Sequence, residues 1–168
     1  FGASSNTYIS VDYFRTQFTQ QMVVDYEHLA NAIDFYALDG NRSYTDNYQV
    51  DFSVDPVERF NITATFRYTD ARIELAGKGL VEKPMTSRFK GVLNLQYATN
   101  MNKWVFDFTA SLNGSCRVYD FMKDLKDADG NLLYANGRTP VYPLLYAQVT
   151  RKLRGVDLYI GAENLTNF

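Results

Sequence analysis

An acid-rich loop contains the residue types in this sequence that come nearest to a metal site. The segment "DADGN", Asp127–Asn131, places three side chains with oxygen atoms around a glycine. Calcium binds in loops of this kind through carboxylate and amide oxygens. However, the glycine stands in the fourth place rather than the sixth, and no glutamate follows to close the site. We therefore predict a plain turn here.

The single histidine and the single cysteine are the other side chains with chemical potential. His28 lies in a long connection, where we predict a solvated surface residue, with haem or metal ligation as the alternative. Cys116 ends a strand and is interpreted as a small structural thiol, and one cysteine allows no internal disulfide. The sequence shows no Ser/His/Asp set, no Cys/His pair and no phosphate loop, so we expect no enzymatic activity and no cofactor.

Aromatic residues in two long connections are the candidates for ligand contact. Phe35 and Tyr36 lie in "IDFYAL", and Tyr119 and Phe121 lie in "VYDFM". Rings of this kind either pack one loop against its neighbours or meet a ligand that arrives from outside. Both interpretations stay open on the residues alone.

The elements that position these loops are strands, because hydrophobicity alternates with a period of two nearly everywhere. In "WVFDFTASLNG", for example, Trp104, Phe106 and Phe108 alternate with mostly polar neighbours. We predict an all-β fold, an antiparallel up-and-down meander of about seven strands, over residues 7–25, 43–54, 61–75, 90–98, 104–114, 142–152 and 156–165. The phase of the first strand is blurred around Phe14 and Arg15, and a break there would raise the count to eight.

The connections between these strands alternate in length. About five residues join strands two and three, four and five, and six and seven, whereas the other connections, 26–42, 76–88 and 119–141, are long. Short turns at one end of a sheet and long loops at the other are typical of bacterial outer-membrane barrels, whose long loops face outside.

The polar faces of the predicted strands carry Asp51, Arg67 and Asp107 together with several amides. The interior of a small soluble barrel would have to give each of these a partner, whereas the wall of a wide, water-filled lumen carries them readily. The sequence therefore favours apolar faces directed into lipid, with Tyr68, Tyr97 and Trp104 near the strand ends as interfacial aromatics. The alternative is a self-contained small β-barrel or sandwich acting as a soluble binding module, because a half-solvated sheet alternates in the same way.

Composition sets limits on partners. The 168 residues carry 17 basic and 19 acidic side chains, a net charge of −2, and no basic block that indicates nucleic acid. Mean hydropathy is −0.30 and no apolar run approaches the length of a membrane helix, which leaves membrane-spanning strands open. The chain opens at "FGASSNTY" with no leader pattern, and we expect a mature or excised piece.

Four segments, taken in order, resemble one family. They are "ISVDYFRTQFTQQMVVDYE", "SYTDNYQVDFSVDPVERFNITATFRYTDARIEL", "KPMTSRFKGVLNLQY" and "VYPLLYAQVTRKLRGVDLYIGAENLTNF". Their patterns resemble the C-terminal barrel strands of TonB-dependent outer-membrane receptors, and "GAENLTNF", Gly161–Phe168, carries the family's second-to-last strand motif nearly whole. The resemblance covers almost the whole chain.

The resemblance implies about the last third of a 22-stranded transmembrane β-barrel in the outer membrane of a Gram-negative bacterium. It implies active uptake of a large scarce nutrient, an iron chelate, cobalamin, haem or a glycan, energised by the TonB complex through an N-terminal plug and TonB box. We expect those parts and the closing strand to lie outside these 168 residues. An isolated segment of this kind should pair through its open sheet edges.

Overall fold

The described part of the chain is an antiparallel β-structure. The structure, a computed structural model, describes residues 6–29, 32–40 and 42–167, apart from the side chains of 28, 29, 38 and 39. Its strands are β1 Thr7–Gln17, β2 Gln20–Leu29, β3 Ala32–Asp39, β4 Tyr44–Val57, β5 Phe60–Leu75, β6 Gly79–Glu82, β7 Phe89–Ala98, β8 Trp104–Asn113, β9 Tyr142–Leu153 and β10 Val156–Ala162. Within these ranges no helix has the length and apolar character needed to cross a membrane.

Seven of the strands form one path, which confirms the predicted all-β antiparallel meander. Neighbours follow the order β1, β4, β5, β7, β8, β9, β10, and every adjacent pair is antiparallel. Strands β1 and β10 lie at the two edges and each pairs with one strand of the path. Across the described residues the sheet is therefore open.

The first strand is shorter than the sequence predicts, because the predicted segment 7–25 divides in two. Strand β1 ends at Gln17, and the Phe18 N–H then donates to the Ser43 carbonyl at 2.9 Å. The chain leaves the sheet as β2, which pairs with β3 as a separate hairpin. This hairpin takes in the last part of the predicted strand, residues 20–25, and extends into the connection 26–42 that was predicted to be a loop. The period of two continues through both strands, so the sequence pattern could not show that the pairing partner changes.

The other two long connections also fold back on the structure. Strand β6 returns along the end of β5 that carries the long connections, which we call the outer end of the sheet. Leu75 lies opposite Gly79 there, and Arg72 lies opposite Glu82. The segment 119–141 contains two single 3-10 turns, Asp120–Met122 and Ala135–Gly137. Short turns join β4 to β5, β7 to β8 and β9 to β10. In the last of these turns Gly155 adopts the left-handed backbone conformation, with φ +84°. The predicted alternation of short and long connections is thus confirmed.

One face of the seven-strand path is a continuous apolar surface, which we call the apolar belt. The register places its side chains in cross-strand rows on β1, β4, β5, β7, β8, β9 and β10: Ile9, Val11, Val50, Phe52, Val54, Ile62, Ala64, Phe66, Leu93, Leu95, Phe108, Ala110, Leu112, Leu145, Val149, Leu158 and Ile160. Val11 is 76% exposed, Phe66 51% and Ile160 76%. Among the described residues the buried apolar side chains are elsewhere, at Val23, Ala71, Leu75 and Val118.

Aromatic rows bound the belt at both ends. At the end of the long connections Tyr13, Tyr48 and Tyr68 lie side by side, with ring centroids 4.9 and 6.3 Å apart. Two residues further out the same face becomes charged, with Arg15 3.6 Å from Asp46.

The inner row lies at the end of the short turns. The rings of Tyr97 and Phe106 stack at 6.5 Å, and the Arg151 guanidinium lies 4.6 Å from the Trp104 ring centroid. The belt extends along β5 from the level of Phe60 to that of Tyr68, which is about 27 Å at about 3.4 Å per residue. A strand tilt of about 40° would reduce the height of the belt to about 20 Å along a membrane normal.

Candidate functional site

The outer end of the sheet is held together by a cluster of charges around Glu27 on β2. The Glu27 side chain is 1% exposed. Arg117 Nη2 lies 2.7 and 2.8 Å from its two oxygens, Lys78 Nζ lies 3.0 Å away, and the Asp120 N–H donates at 3.0 Å. This arrangement, the Glu27 cluster, fastens the hairpin β2–β3 to two other connections. Its buried carboxylate is fully supplied with donors, as a stable buried charge requires.

The charges of the Glu27 cluster are reinforced on its exposed side. Asp120 accepts from Lys78 at 2.8 Å and pairs with Lys123 at 2.5 Å, and hydrogen bonds from Lys123 and Lys78 hold the pKa of Asp120 well below its ordinary value. Burial would lower the pKa of Arg117, but its hydrogen bond and charge interaction with Glu27 outweigh burial and raise that pKa. Asp120 is therefore ionised and Arg117 protonated at neutral pH.

A second cluster, which we call the Glu82 cluster, ties β6 to the segment 119–141. Glu82 accepts from Arg88 at 2.6 and 3.0 Å and from Arg138 at 2.9 and 3.0 Å. Burial alone would raise the pKa of Glu82, but the hydrogen bonds from Arg138 and Arg88 lower it to about 2. The two bidentate pairs give the cluster a fixed geometry.

Of the four aromatic residues that are candidates for ligand contact, two are brought together. The ring of Tyr119 stacks on Phe121 at 5.6 Å and contacts Tyr26, which the sequence did not single out, at 5.1 Å. Tyr119 is half-buried; its burial, together with the nearby Tyr26 and Glu27, raises the pKa of its hydroxyl. Phe121 is 59% exposed. Both loop packing and ligand contact remain compatible with this stack.

The other two predicted aromatics have different surroundings. The Tyr36 hydroxyl donates to Asp25 at 2.9 Å and accepts from the Ala76 N–H at 3.0 Å, so it joins β3 to the end of β5. Phe35 pairs across the hairpin with Val24 and is 66% exposed. Among the described ring contacts, none joins Phe35 or Tyr36 to the stack around Tyr119. The predicted quartet is therefore not one cluster.

A cavity of about 230 Å³ lies between the hairpin β2–β3 and the outer end of β5. Its apolar lining comes from Met22, Val24, Tyr26, Ile73, Leu75 and Tyr119. Gln21, Asp25, Glu27 and Lys83 add polar groups. Gln21 Oε1 is buried without a hydrogen-bond partner in the part of the chain that the structure describes.

The predicted lumen-facing residues share the face opposite the belt. Asp51 accepts from Thr65 at 2.6 Å and from Gln49 at 2.7 Å, and Arg67 donates to the same Gln49 at 2.6 and 2.8 Å. Gln49 therefore links Asp51 on its own strand to Arg67 on β5.

Asp107 is partnered in the same way on the neighbouring strands. It accepts from Asn94 and Gln96, each at 2.8 Å. Apolar and aromatic side chains interrupt this polar face at Tyr8, Val92 and Tyr159. The face is hydrogen-bonded to itself across strands, as a surface that stands in water can be.

The remaining sequence motifs make only local contacts. Asp127 accepts from the backbone N–H groups of Asp129 at 3.0 Å and Asn131 at 2.8 Å, which is the predicted turn. Cys116 Sγ lies 3.3 Å from Thr139 Oγ1. No group of three or more potential metal ligands occurs in residues 6–29, 32–40 and 42–167. The side chain of His28 lies outside the described residues.

The comparisons with known proteins return no match: no family model, no curated protein and no solved structure is similar to this chain. The motif resemblance to TonB-dependent receptors therefore stays a prediction. What stands independently of it is the antiparallel sheet and the geometry of its two faces.

Sequence reasoning missed the residues that organise the outer end. Glu27 and Arg117 are 90 positions apart, and Glu82 and Arg138 are 56 apart. No short-range spacing rule connects such pairs. Gln21 could not be singled out from the sequence either. Its oxygen lacks a partner among the described residues because of the way the hairpin packs against β5.

Proposed function

We propose that this chain forms part of the wall and outer loops of a transmembrane β-barrel, in a receptor of the cell outer membrane of a Gram-negative bacterium. By the family resemblance, that receptor takes up a large scarce nutrient, an iron chelate, cobalamin, haem or a glycan, with energy from the TonB complex. The chain has no catalytic role in this proposal.

The observation that carries the proposal is the uncovered apolar belt with aromatic rows at both ends. Monomeric soluble proteins rarely expose more than a few hundred Å² of contiguous apolar surface, and this surface extends over seven strands. Its height of about 20 Å is comparable with the apolar band of about 25 Å on outer-membrane barrels. Lipid is a cover that fits both the height and the aromatic boundaries.

The opposite face and the open edges support the same proposal. Backbone groups at a sheet edge cannot stay unpaired in lipid, so β1 and β10 need further strands, of the same chain or of another. A closed barrel of 22 strands, as the resemblance implies, would give them those neighbours. The polar face with Asp51, Arg67 and Asp107 would then line the lumen. The clustered outer connections would face the medium that supplies the nutrient.

The alternative, a soluble binding module, needs the apolar stripe to be turned into a dry interior. In the structure the stripe is exposed and the sheet is open across the described residues. We therefore prefer the receptor.

The unique tryptophan provides the test. We expect bromine-labelled lipids to quench Trp104 fluorescence strongly after the full chain is folded into bilayers, and labels near the headgroups to quench more than labels at the bilayer centre. The matched control carries Trp104→Phe and Val105→Trp, which moves the reporter one residue onto the polar face. Quenching that is equal at both positions, or a monomeric cooperative fold without detergent, would overturn the proposal.

A further inference from the structure

We propose that the cavity between the hairpin β2–β3 and the outer end of β5 binds a single small neutral ring that carries hydroxyl groups, the chemistry shared by a sugar unit and a catechol. This inference deepens the proposed function, which places the cavity on the side of the membrane where the nutrient arrives. The cavity itself is a property of the chain and can be tested without transport.

The size and the rings of the cavity set the scale of the ligand. Its volume of about 230 Å³ is below the about 300 Å³ at which sites for drug-sized molecules begin. Tyr26 and Tyr119, with ring centroids 5.1 Å apart, both contribute to the lining. Aromatic faces favour flat apolar surfaces, such as a phenolic ring or the C–H face of a sugar. One ring of either type fits this space.

The polar atoms of the cavity select hydroxyl groups. Gln21 Oε1 is buried and has no donor within the described residues, which is an unfavourable state for a buried acceptor. Lys83, on the same lining, is a donor only. A hydroxyl group of the ligand can donate to Gln21 Oε1 and accept from the Lys83 ammonium group. The soft terminal torsion of glutamine lets the amide turn towards such a ligand at small cost.

The charges of the lining disfavour an ionic ligand. Asp25 already accepts from Tyr36 and from the Glu27 N–H at 2.8 Å. Glu27 is neutralised by Arg117 and Lys78. The acids thus have their donors, so a cation would gain little from them and would meet Lys83. An anion would be attracted by Lys83 but would meet the carboxylate of Asp25, whose two donors are neutral. A neutral ligand avoids both repulsions.

The experiment is saturation-transfer NMR and calorimetry on the full chain in detergent. The probes are methyl β-D-glucopyranoside, catechol, benzylammonium and benzoate. We expect one or both of the first two to bind with dissociation constants of about 1–10 mM, as small fragments do. Glucoside binding would identify a sugar site and catechol binding a phenol site. Preference for benzylammonium or benzoate, or no binding by any probe at about 10 mM, would overturn the inference.

Variants locate the binding. Gln21→Met and Tyr119→Leu should each weaken the bound probe by about tenfold. Gln21→Met should leave the ligand-free chain at least as stable, because it removes an unpaired buried acceptor, so loss of binding cannot be ascribed to misfolding. Ile33→Val, on the same hairpin but outside the lining, is the control and should bind normally. Binding unchanged by both lining variants would overturn the site. Lipid quenching of Trp104 would stay as in the parent chain, which separates this failure from failure of the proposed function.

Discussion

The apolar belt and the outer connections are held by opposite kinds of interaction. In the belt each strand pairs with its neighbour in continuous register, and apolar side chains lie in rows whose cover must come from outside the described chain. At the outer end the hairpin β2–β3, β6 and the segment 114–141, which we call the outer cap, are joined by buried and half-buried ion pairs. The buried apolar residues Val23, Leu75 and Val118 also lie there.

The difference indicates two separable sources of order. The belt depends on its surroundings, because lipid or another apolar phase must cover it before its side chains contribute to stability. The outer cap carries its own small core and its own charge pairing, so it can be ordered without lipid. Changes in one region should therefore leave the other largely intact, since distant sites are usually additive.

The largest effect is expected from breaking the Glu27 cluster. Glu27→Ala would leave Arg117 and Lys78 with Asp120 as their remaining carboxylate. Removal of one partner of a buried pair typically costs about 3–5 kcal/mol, and the pairing with Asp120 places this variant at the lower end of that range. We expect hydrogen exchange in β2 and β3 to become much faster while β7 and β8 stay protected. Equal acceleration in both regions would show that they are one cooperative unit.

The exposed pair Arg42–Glu74 is the matched control for this variant. Its distance is 2.9 Å, but the Arg42 side chain is 69% exposed. Arg42→Met should therefore cost less than about 1 kcal/mol.

The second effect tests the belt by its two faces. Ala64 lies at the middle of the belt, four residues from both Phe60 and Tyr68, and Thr65 beside it lies on the polar face. Arginine on the lipid face of a barrel at mid-membrane costs about 2–4 kcal/mol, whereas the lumen tolerates it. We expect Ala64→Arg to lower the stability of the chain folded into bilayers by that amount, measured by denaturant titration.

Thr65→Arg is the matched variant, and it should change the same free energy by less than about 1 kcal/mol. If the two costs were reversed, the apolar face would not be the lipid face.

The sequence predicted the belt well because its information is local. Alternation assigns each side chain to a face, and the register places Asp51, Arg67 and Asp107 on the face opposite Phe66 and its neighbours. The short turns could be located for the same reason. The exception was the end of β1, where alternation continues into a strand with another partner.

The outer cap could be predicted only in part. Aromatic composition pointed to Tyr119 and Phe121, which do stack, but it also included Tyr36, whose hydroxyl holds β3 to Ala76. Residues such as Glu27 and Arg117 meet because two connections converge in space. That convergence is set by the packing of the hairpin, and no pattern along the chain contains it.

The smallest expected effect is a pH dependence of the stability of the outer cap, through Glu82. The folded pKa of Glu82 is about 2 against an ordinary value of 4.5, so the folded state holds the ionised form more tightly than the unfolded state does. The stabilisation is therefore fully present above about pH 4.5 and is lost as the pH falls towards 2. Because Arg88 is 44% exposed and screened by solvent, we expect about 1–2 kcal/mol rather than the about 3 that the full shift would give.

Glu82→Gln isolates this contribution from those of the other carboxylates. The protection factor of the β6 amides, which is the intrinsic exchange rate at each pH divided by the observed rate, should fall on acidification in the parent chain. Between pH 4.5 and 2 it should depend less on pH in the variant. The belt strands β7 and β8 should respond alike in both proteins, because their exchange does not depend on the Glu82 cluster. A pH dependence in β6 that is identical in parent and variant would mean that the arginine pairs do not stabilise the outer cap. The order of that region would then rest on its small apolar core alone.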